Sequence, residues 1–180
     1  MREAERRRVV RFPPGLILSS PVHILAFGFG SGLSRVAPGT FGTLPGVVLF
    51  LALSWLHVRA YAVALLALSA LGIYLCSVSS RRLGVHDHPG IVFDEMVGYC
   101  VAALPILPAL GWVAGPLWVK LAVVFVAFRI VDIAKPWPIS WIDARVGGGF
   151  GIMLDDLVAG VIAGVLSWLV LHVLMGAMNW

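Results

Sequence analysis

Apolar positions along this chain gather into long unbroken runs separated by short polar or Gly/Pro-rich breaks, and period-two alternation is weak throughout. The first strong run, 44–58, would make roughly 22 Å of helix. Against a hydrocarbon core of about 30 Å it spans only with help from flanking residues or a thin bilayer. Arg59 separates it from 60–78, a spanning length, and Ser79, Ser80, Arg81, Arg82 and Gly84 close that helix at a water interface. The run 96–109 follows, bent or ended by Pro105 and Pro108, and then 117–133, stopped by Pro136 and Pro138. The last run is 157–178. Ahead of them all, residues 15–46 hold an apolar piece at 22–29 and then so many glycines that an irregular loop is predicted; a second glycine-rich connector, 147–151, precedes the last run. The pattern predicts an all-α, polytopic membrane bundle of about five spanning or near-spanning helices, with no internal repeat.

Composition removes the soluble alternative. Of 180 residues, 60% are hydrophobic and 12% charged, against roughly 45–50% and about 25% in soluble domains. A folded chain of this size still exposes about a third of its unfolded surface, too much for so few polar residues to cover. The net charge is +4, and the first eleven residues hold five Arg against two Glu. A basic arm of this kind, residues 1–14, suits an anionic cytoplasmic leaflet, and with no second basic cluster or interleaved aromatic run it argues against nucleic acid. Pro13, Pro14 and Pro21 interrupt any signal-peptide core, so no signal peptide is expected. Residues 15–180 read as a single membrane-embedded domain. Cys76 and Cys100 lie in or beside apolar runs and read as small core hydrophobes.

The acids are unevenly placed. Apart from Glu3 and Glu5, all lie between 87 and 156, and Asp94, Glu95, Asp132, Asp155 and Asp156 abut or enter apolar runs. A carboxylate at membrane depth is costly unless paired or metal-bound. Asp94–Glu95 opens one helix, Asp132 lies near the end of another and Asp155–Asp156 opens a third, so three helix ends can converge. Five oxygen donors without a sulfur or histidine cluster suit Mg²⁺. Arg129, Asp132 and Lys135 recur at intervals of three, placing cations beside a metal ligand on one helix face, as a bridging phosphate would need; the same spacing also suits a purely structural ion pair. Ser31, Ser34 and Thr40 in the glycine-rich stretch Gly28–Gly42 offer hydroxyls and free backbone N–H groups to phosphate, although no Gly-Lys-[Ser/Thr] follows. Asp143 lies in a polar connector and is expected to tolerate Asn. Cys76 to Arg82 matches C-x5-R formally but lacks the glycine loop of cysteine phosphatases, and His86-Asp87-His88 reads as a solvated loop or as support for the acidic cluster.

The strings GFGSGLSRVAPGTFGTLPG, GVHDHPGIVFDEMVG and FRIVDIAKPWPISWIDARVGGGFGIMLDDLVAGV together resemble the phosphatidylglycerophosphatase A family over about residues 22–165, in the same order. The resemblance implies an all-helical Mg²⁺-dependent phosphatase of the bacterial inner membrane that converts phosphatidylglycerophosphate, an anionic phospholipid, to phosphatidylglycerol and phosphate. It places weight on Asp94, Glu95, Asp132, Lys135, Asp155 and Asp156 as catalytic residues, the five acids among them holding Mg²⁺. Arg129, Lys135 and Arg145 are then expected to neutralise the phosphoryl oxygens, with Ser31 and Thr40 orienting them. Direct attack by water and a phospho-enzyme both remain open. The rival class is a small ion- or proton-coupled transporter, which would need charges at several depths of the bilayer. With the arm inside, the positive-inside rule leaves only Arg59 and Lys120 of the thirteen Lys and Arg away from the cytoplasmic face, and puts the acidic site on it. The sequence specifies no oligomeric state.

Overall fold

The computed structural model describes residues 12–85 and 88–177; of the basic arm only Phe12 to Pro14 fall within it, and His86 and Asp87 lie outside it. Among the described residues every regular element is helical. Two short helices, α1 (Pro14–Leu18) and α2 (Pro21–Ala26), and a 3-10 segment, Gly28–Leu33, lead into α3 (Pro38–Leu53) and α4 (Val58–Leu83). Next come α5 (Phe93–Ala102), a 3-10 turn (Leu104–Ile106), α6 (Leu117–Ala134), α7 (Ile139–Arg145) and α8 (Gly148–Ala177). Helices α4 and α8 are long and apolar enough to cross a membrane.

Helix α5 sits at the centre, with α3 and α8 packed on it, while α6 packs mainly on α8. Small residues make these approaches possible. A Cβ on Gly160 of α8 would collide with the Gly98 carbonyl oxygen of α5, and one on Gly46 of α3 would lie 2.9 Å from Met96 Cα. Close backbone approach through small residues is how helices associate where no hydrophobic effect drives them together. The complementary face of α8 carries Val161, Val165, Leu169 and Val173 outward, exposed as large apolar side chains. Tyr61 Oη donates to the Cys100 carbonyl at 2.8 Å and Tyr99 Oη to that of Leu121 at 3.3 Å, fastening α5 to α4 and α6. Both cysteines are buried thiols, as expected.

Expected boundaries move at three helices. The stretch expected to be loop until residue 46 is helical from Pro38, entered through left-handed Ala37 (φ 45°) with proline in the first turn. Glycine costs a helix about 1 kcal/mol relative to alanine, but here Gly42 and Gly46 admit α5 against the backbone, and packing outweighs propensity. The helix ends at Leu53 instead of continuing to 58. The run 96–109 is a helix only as far as Ala102, with Pro105 in the following 3-10 turn, so α5 is about 15 Å long, half of an apolar core of about 30 Å. Finally, α8 starts at Gly148, and the supposed connector is its first turn: a Cβ on Gly149 would strike the α4 backbone at Ile73 and Ser77. Asp155 and Asp156 therefore lie about two turns inside a helix rather than at its opening.

Candidate active site

Four chain segments deliver charged groups to one place. Asp94 and Glu95 occupy the first turn of α5, where the helix dipole favours anions. Arg129 and Asp132 lie one turn apart near the end of α6, and Lys135 caps that helix in a left-handed conformation (φ 41°) that turns the chain into α7. Helix α7 supplies Asp143, and the second turn of α8 supplies Asp155 and Asp156. With Pro38, Gly39 and Thr40 from the N-terminal turn of α3, these residues line a cavity of about 630 Å³. Among the described residues its walls carry six carboxylates against the two cations Arg129 and Lys135.

Each cation is held between carboxylates. Arg129 Nη1 donates to Asp132 Oδ2 at 2.7 Å and lies 3.1 Å from Glu95 Oε1 and 3.4 Å from Thr43 Oγ1. Thr43 Oγ1 in turn faces Glu95 Oε2 at 3.1 Å. Lys135 Nζ donates to Asp143 Oδ1 and Asp155 Oδ2, both at 2.7 Å. Desolvation alone would lower the Lys135 pKa, but these two hydrogen bonds outweigh it and raise the value above the ordinary 10.5. Asp155 Oδ1 accepts the Asp156 backbone N–H at 3.1 Å. Among the described residues, Asp156 Oδ1 and Arg129 Nε are buried without a hydrogen-bond partner. Among the described residues no three His, Cys, Asp or Glu side chains already form a ready-made metal shell.

The profile of the phosphatidylglycerophosphatase A family matches residues 24–171. The phosphatidylglycerophosphatase A of Escherichia coli K12 is 44% identical over 165 residues, covering 91% of this chain and 92% of that protein. The chain belongs to the phosphatidylglycerophosphatase A family. Its Haemophilus influenzae relative of the same description is 44% identical over 147 residues, 81% of this chain and 86% of that one. A Bacteroides thetaiotaomicron protein provisionally named phosphatidylinositol-3-phosphatase is 32% identical over 148 residues, 79% and 89% of the two chains. No solved structure matches the chain.

Of the residues expected at the site, Asp94, Glu95, Arg129, Asp132, Lys135, Asp155, Asp156 and Thr40 all line the one cavity. Two do not reach it. Ser31 Oγ donates to the Gly28 carbonyl at 2.8 Å within its own 3-10 turn, and the Arg145 guanidinium lies over the Trp141 ring, 5.1 Å from its centroid, on an exposed part of α7. Asp143, expected in a connector, is helical and partnered by Lys135. His88 is buried, not solvated: its ring lies 5.2 Å from Phe12 and 5.7 Å from Phe27, and Nδ1 accepts the Gly90 N–H at 3.0 Å. Thr43 and Gly39 were not foreseen. A Cβ on Gly39 would collide with Glu95 Oε1 and lie 2.8 Å from Arg129 Nη2, so the missing side chain leaves room for that ion pair. The signal for both is the i, i+4 spacing of Gly39 and Thr43, which puts them on one face of α3.

Proposed function

We propose that this phosphatase hydrolyses the terminal phosphomonoester of phosphatidylglycerophosphate, giving phosphatidylglycerol and inorganic phosphate, in the acidic cavity and with Mg²⁺ as cofactor. The observation that carries the reading is an acidic cavity with excess negative charge, and with Asp156 Oδ1 buried and unpartnered, in a chain of this family. Mg²⁺ fits these residues: it takes oxygen ligands, keeps several waters and is commonly held by one or two carboxylates plus substrate phosphate, so it needs no preformed three-residue cage. Asp94, Asp155 and Asp156 are the buried carboxylates outside the Arg129 cluster and would be the primary ligands, with Glu95 and Asp132 fixing Arg129 beside them. When bound, the ion neutralises phosphoryl charge and lowers the pKa of a coordinated water.

The remaining work falls to the side chains. Arg129 keeps Nε available as a donor to phosphoryl oxygen while Nη1 stays tied to Glu95 and Asp132. Lys135, nearer solvent, follows charge as it develops on the phosphate and the leaving oxygen. The N-terminal turn of α3 points its positive dipole end toward the same space. Water oxygen bonds to phosphorus as the bond to the glycerol oxygen breaks, and that oxygen takes up a proton. A phospho-enzyme trapped with labelled substrate would overturn direct attack by water.

We further propose a multi-pass protein of the bacterial cytoplasmic membrane with the cavity facing the cytoplasm. Helices α3, α4, α6 and α8 cross, and α5 with its 3-10 extension enters partway. The alternation supports this, since the cavity takes the start of α3 and α5, the end of α6 and the start of α8. The site charges gather at this one end, unlike the several depths a transporter path needs. Single cysteines at Ser140 and Gly111, in a chain lacking Cys76 and Cys100, test the orientation. Labelling of the Ser140 probe by an impermeant reagent on intact cells, with the Gly111 probe protected, would reverse it.

Purified protein in mixed micelles should release phosphate from phosphatidylglycerophosphate, stop in EDTA and resume with Mg²⁺. No release with Mg²⁺ present would remove the activity, and release unchanged by EDTA would remove the metal. Phosphatidylinositol 3-phosphate in a parallel arm measures how far the site tolerates another lipid phosphomonoester.

A further inference from the structure

An apolar groove of about 440 Å³ opens off the acidic cavity between α3 and α6. It exists because α3 packs on α5 and α6 on α8, leaving the seam between α3 and α6 sparsely filled. Thr40, Arg129 and Ile133 belong to both spaces, so the groove and the cavity share a lip. Away from that lip the lining is Phe125, Val126, Ile130 and Ala134, all on α6, with Thr40 the contribution of α3. Val126, Ile130 and Ile133 follow at steps of four and three, one face of the helix, and are 55%, 61% and 69% exposed. From Ala134 to Phe125 the helix descends about 14 Å, close to half of an apolar core of about 30 Å.

A lipid phosphatase has a geometric problem that a soluble one lacks. The phosphate must enter a polar, charged cavity while the acyl chains stay in hydrocarbon, and the two ends are joined covalently. The path between them must be open sideways to the bilayer, apolar along its length and polar only where it meets the cavity. The α3–α6 groove has these properties, with Thr40 and Arg129 at the junction.

We infer that this groove is the lateral portal that holds the diacylglycerol portion of the substrate, with Val126 and Ile130 as chain-positioning residues that set specificity for long-chain lipid. The inference rests on the lipid-phosphatase reading above and adds to it where the tails lie. It needs no movement of the helices and no group beyond the substrate itself.

The test is a comparison of kcat/KM for phosphatidylglycerophosphate bearing long chains and bearing hexanoyl chains, in wild type, Val126→Trp, Ile130→Trp and the control Val165→Trp on the outward face of α8. An indole in the groove should lower the long-chain to short-chain ratio by about tenfold, the effect of unburying roughly two methylenes, mainly through KM. Val165→Trp should leave the ratio at the wild-type value. If either groove variant fails to fold, the other still reads the ratio, and a photoactivatable acyl chain on the long-chain lipid supplies a second readout on wild type. Adducts should fall on residues 125–133 and be competed away by unlabelled substrate. Wild-type ratios in both groove variants, or competable adducts confined to α8, would overturn the portal while leaving the activity in place. Failure of wild type to release phosphate from the long-chain lipid would remove activity and portal together.

Discussion

The cavity contains the same device twice, a cation clasped by two carboxylates, at two depths. In the Arg129 cluster both members of each pair are nearly buried, with side chains 13% and 14% exposed. In the Lys135–Asp143 pair they are 30% and 46% exposed. The deep cluster joins α3, α5 and α6 through Thr43, Glu95 and Asp132, and the planar guanidinium holds its partners in fixed directions. Removing one partner there strands a buried charge, at about 3–5 kcal/mol. The outer cluster uses a flexible ammonium: its exposed Lys135–Asp143 pair contributes about 0–1 kcal/mol, while its other partner, Asp155, is 10% exposed and so as buried as the deep cluster. Arg129 is the deeper cation, its buried Nε without a hydrogen-bond partner, and Lys135 is the more exposed one. Asp156 lies in neither clasp, and the proposed metal would be held there.

The contrast can be broken at its most sensitive point first. Asp156→Asn keeps volume and removes charge, so phosphate release should fall at least about a hundredfold, beyond the roughly 10- to 100-fold typical when a group that only orients a ligand is lost. The protein should remain folded by circular dichroism and monodisperse in detergent. Arg129→Lys comes next: a point charge cannot serve Glu95, Asp132 and Thr43 from one plane, and activity should fall about 10- to 100-fold with a measurable drop in Tm. Gly39→Ala presses on the same ion pair from α3. Its Cβ would collide with Glu95 Oε1 and lie 2.8 Å from Arg129 Nη2, so turnover should fall by about tenfold with a drop in Tm as well.

Asp143→Asn should have the smallest effect, with near-wild-type kcat and about 0–1 kcal/mol of stability lost. It also carries a signature in pH. Because the Lys135 pKa is raised on folding, the stability this lysine contributes is complete below its ordinary 10.5 and is lost only as the pH climbs through the raised value. Loss of one of its two partners should bring the alkaline decline of Tm to lower pH. A decline at the same pH in wild type and variant would show that Asp143 does not hold the proton on Lys135.

What the sequence revealed follows from which physics is local. The acids stand out because each abuts an apolar run, where charge is costly whatever the fold, and seven of the eight charged residues expected at the site between Asp94 and Asp156 line one cavity, Arg145 being the exception. The glycines misled because their effect is not local. Gly42, Gly46 and Gly149 read as loop by propensity, yet each lies where another helix backbone or its first side-chain carbons would be struck by a Cβ, and only the fold discloses that partner. Missing the helical start of α3 hid Thr43, and missing that of α8 put Asp155 and Asp156 at a helix opening instead of inside it. Ser31 and Arg145 carry suitable donor chemistry, but local partners hold both away from the cavity.

The proposed chemistry depends on a divalent cation held by the carboxylates around Asp156. Mn²⁺ titrated into metal-free protein, with the free ion followed by electron paramagnetic resonance and Mg²⁺ as competitor, measures this without substrate or turnover. Saturable, Mg²⁺-displaceable binding should occur in wild type and in Asp143→Asn and disappear in Asp156→Asn. Equal binding by wild type and Asp156→Asn, or no binding by wild type, would contradict the account.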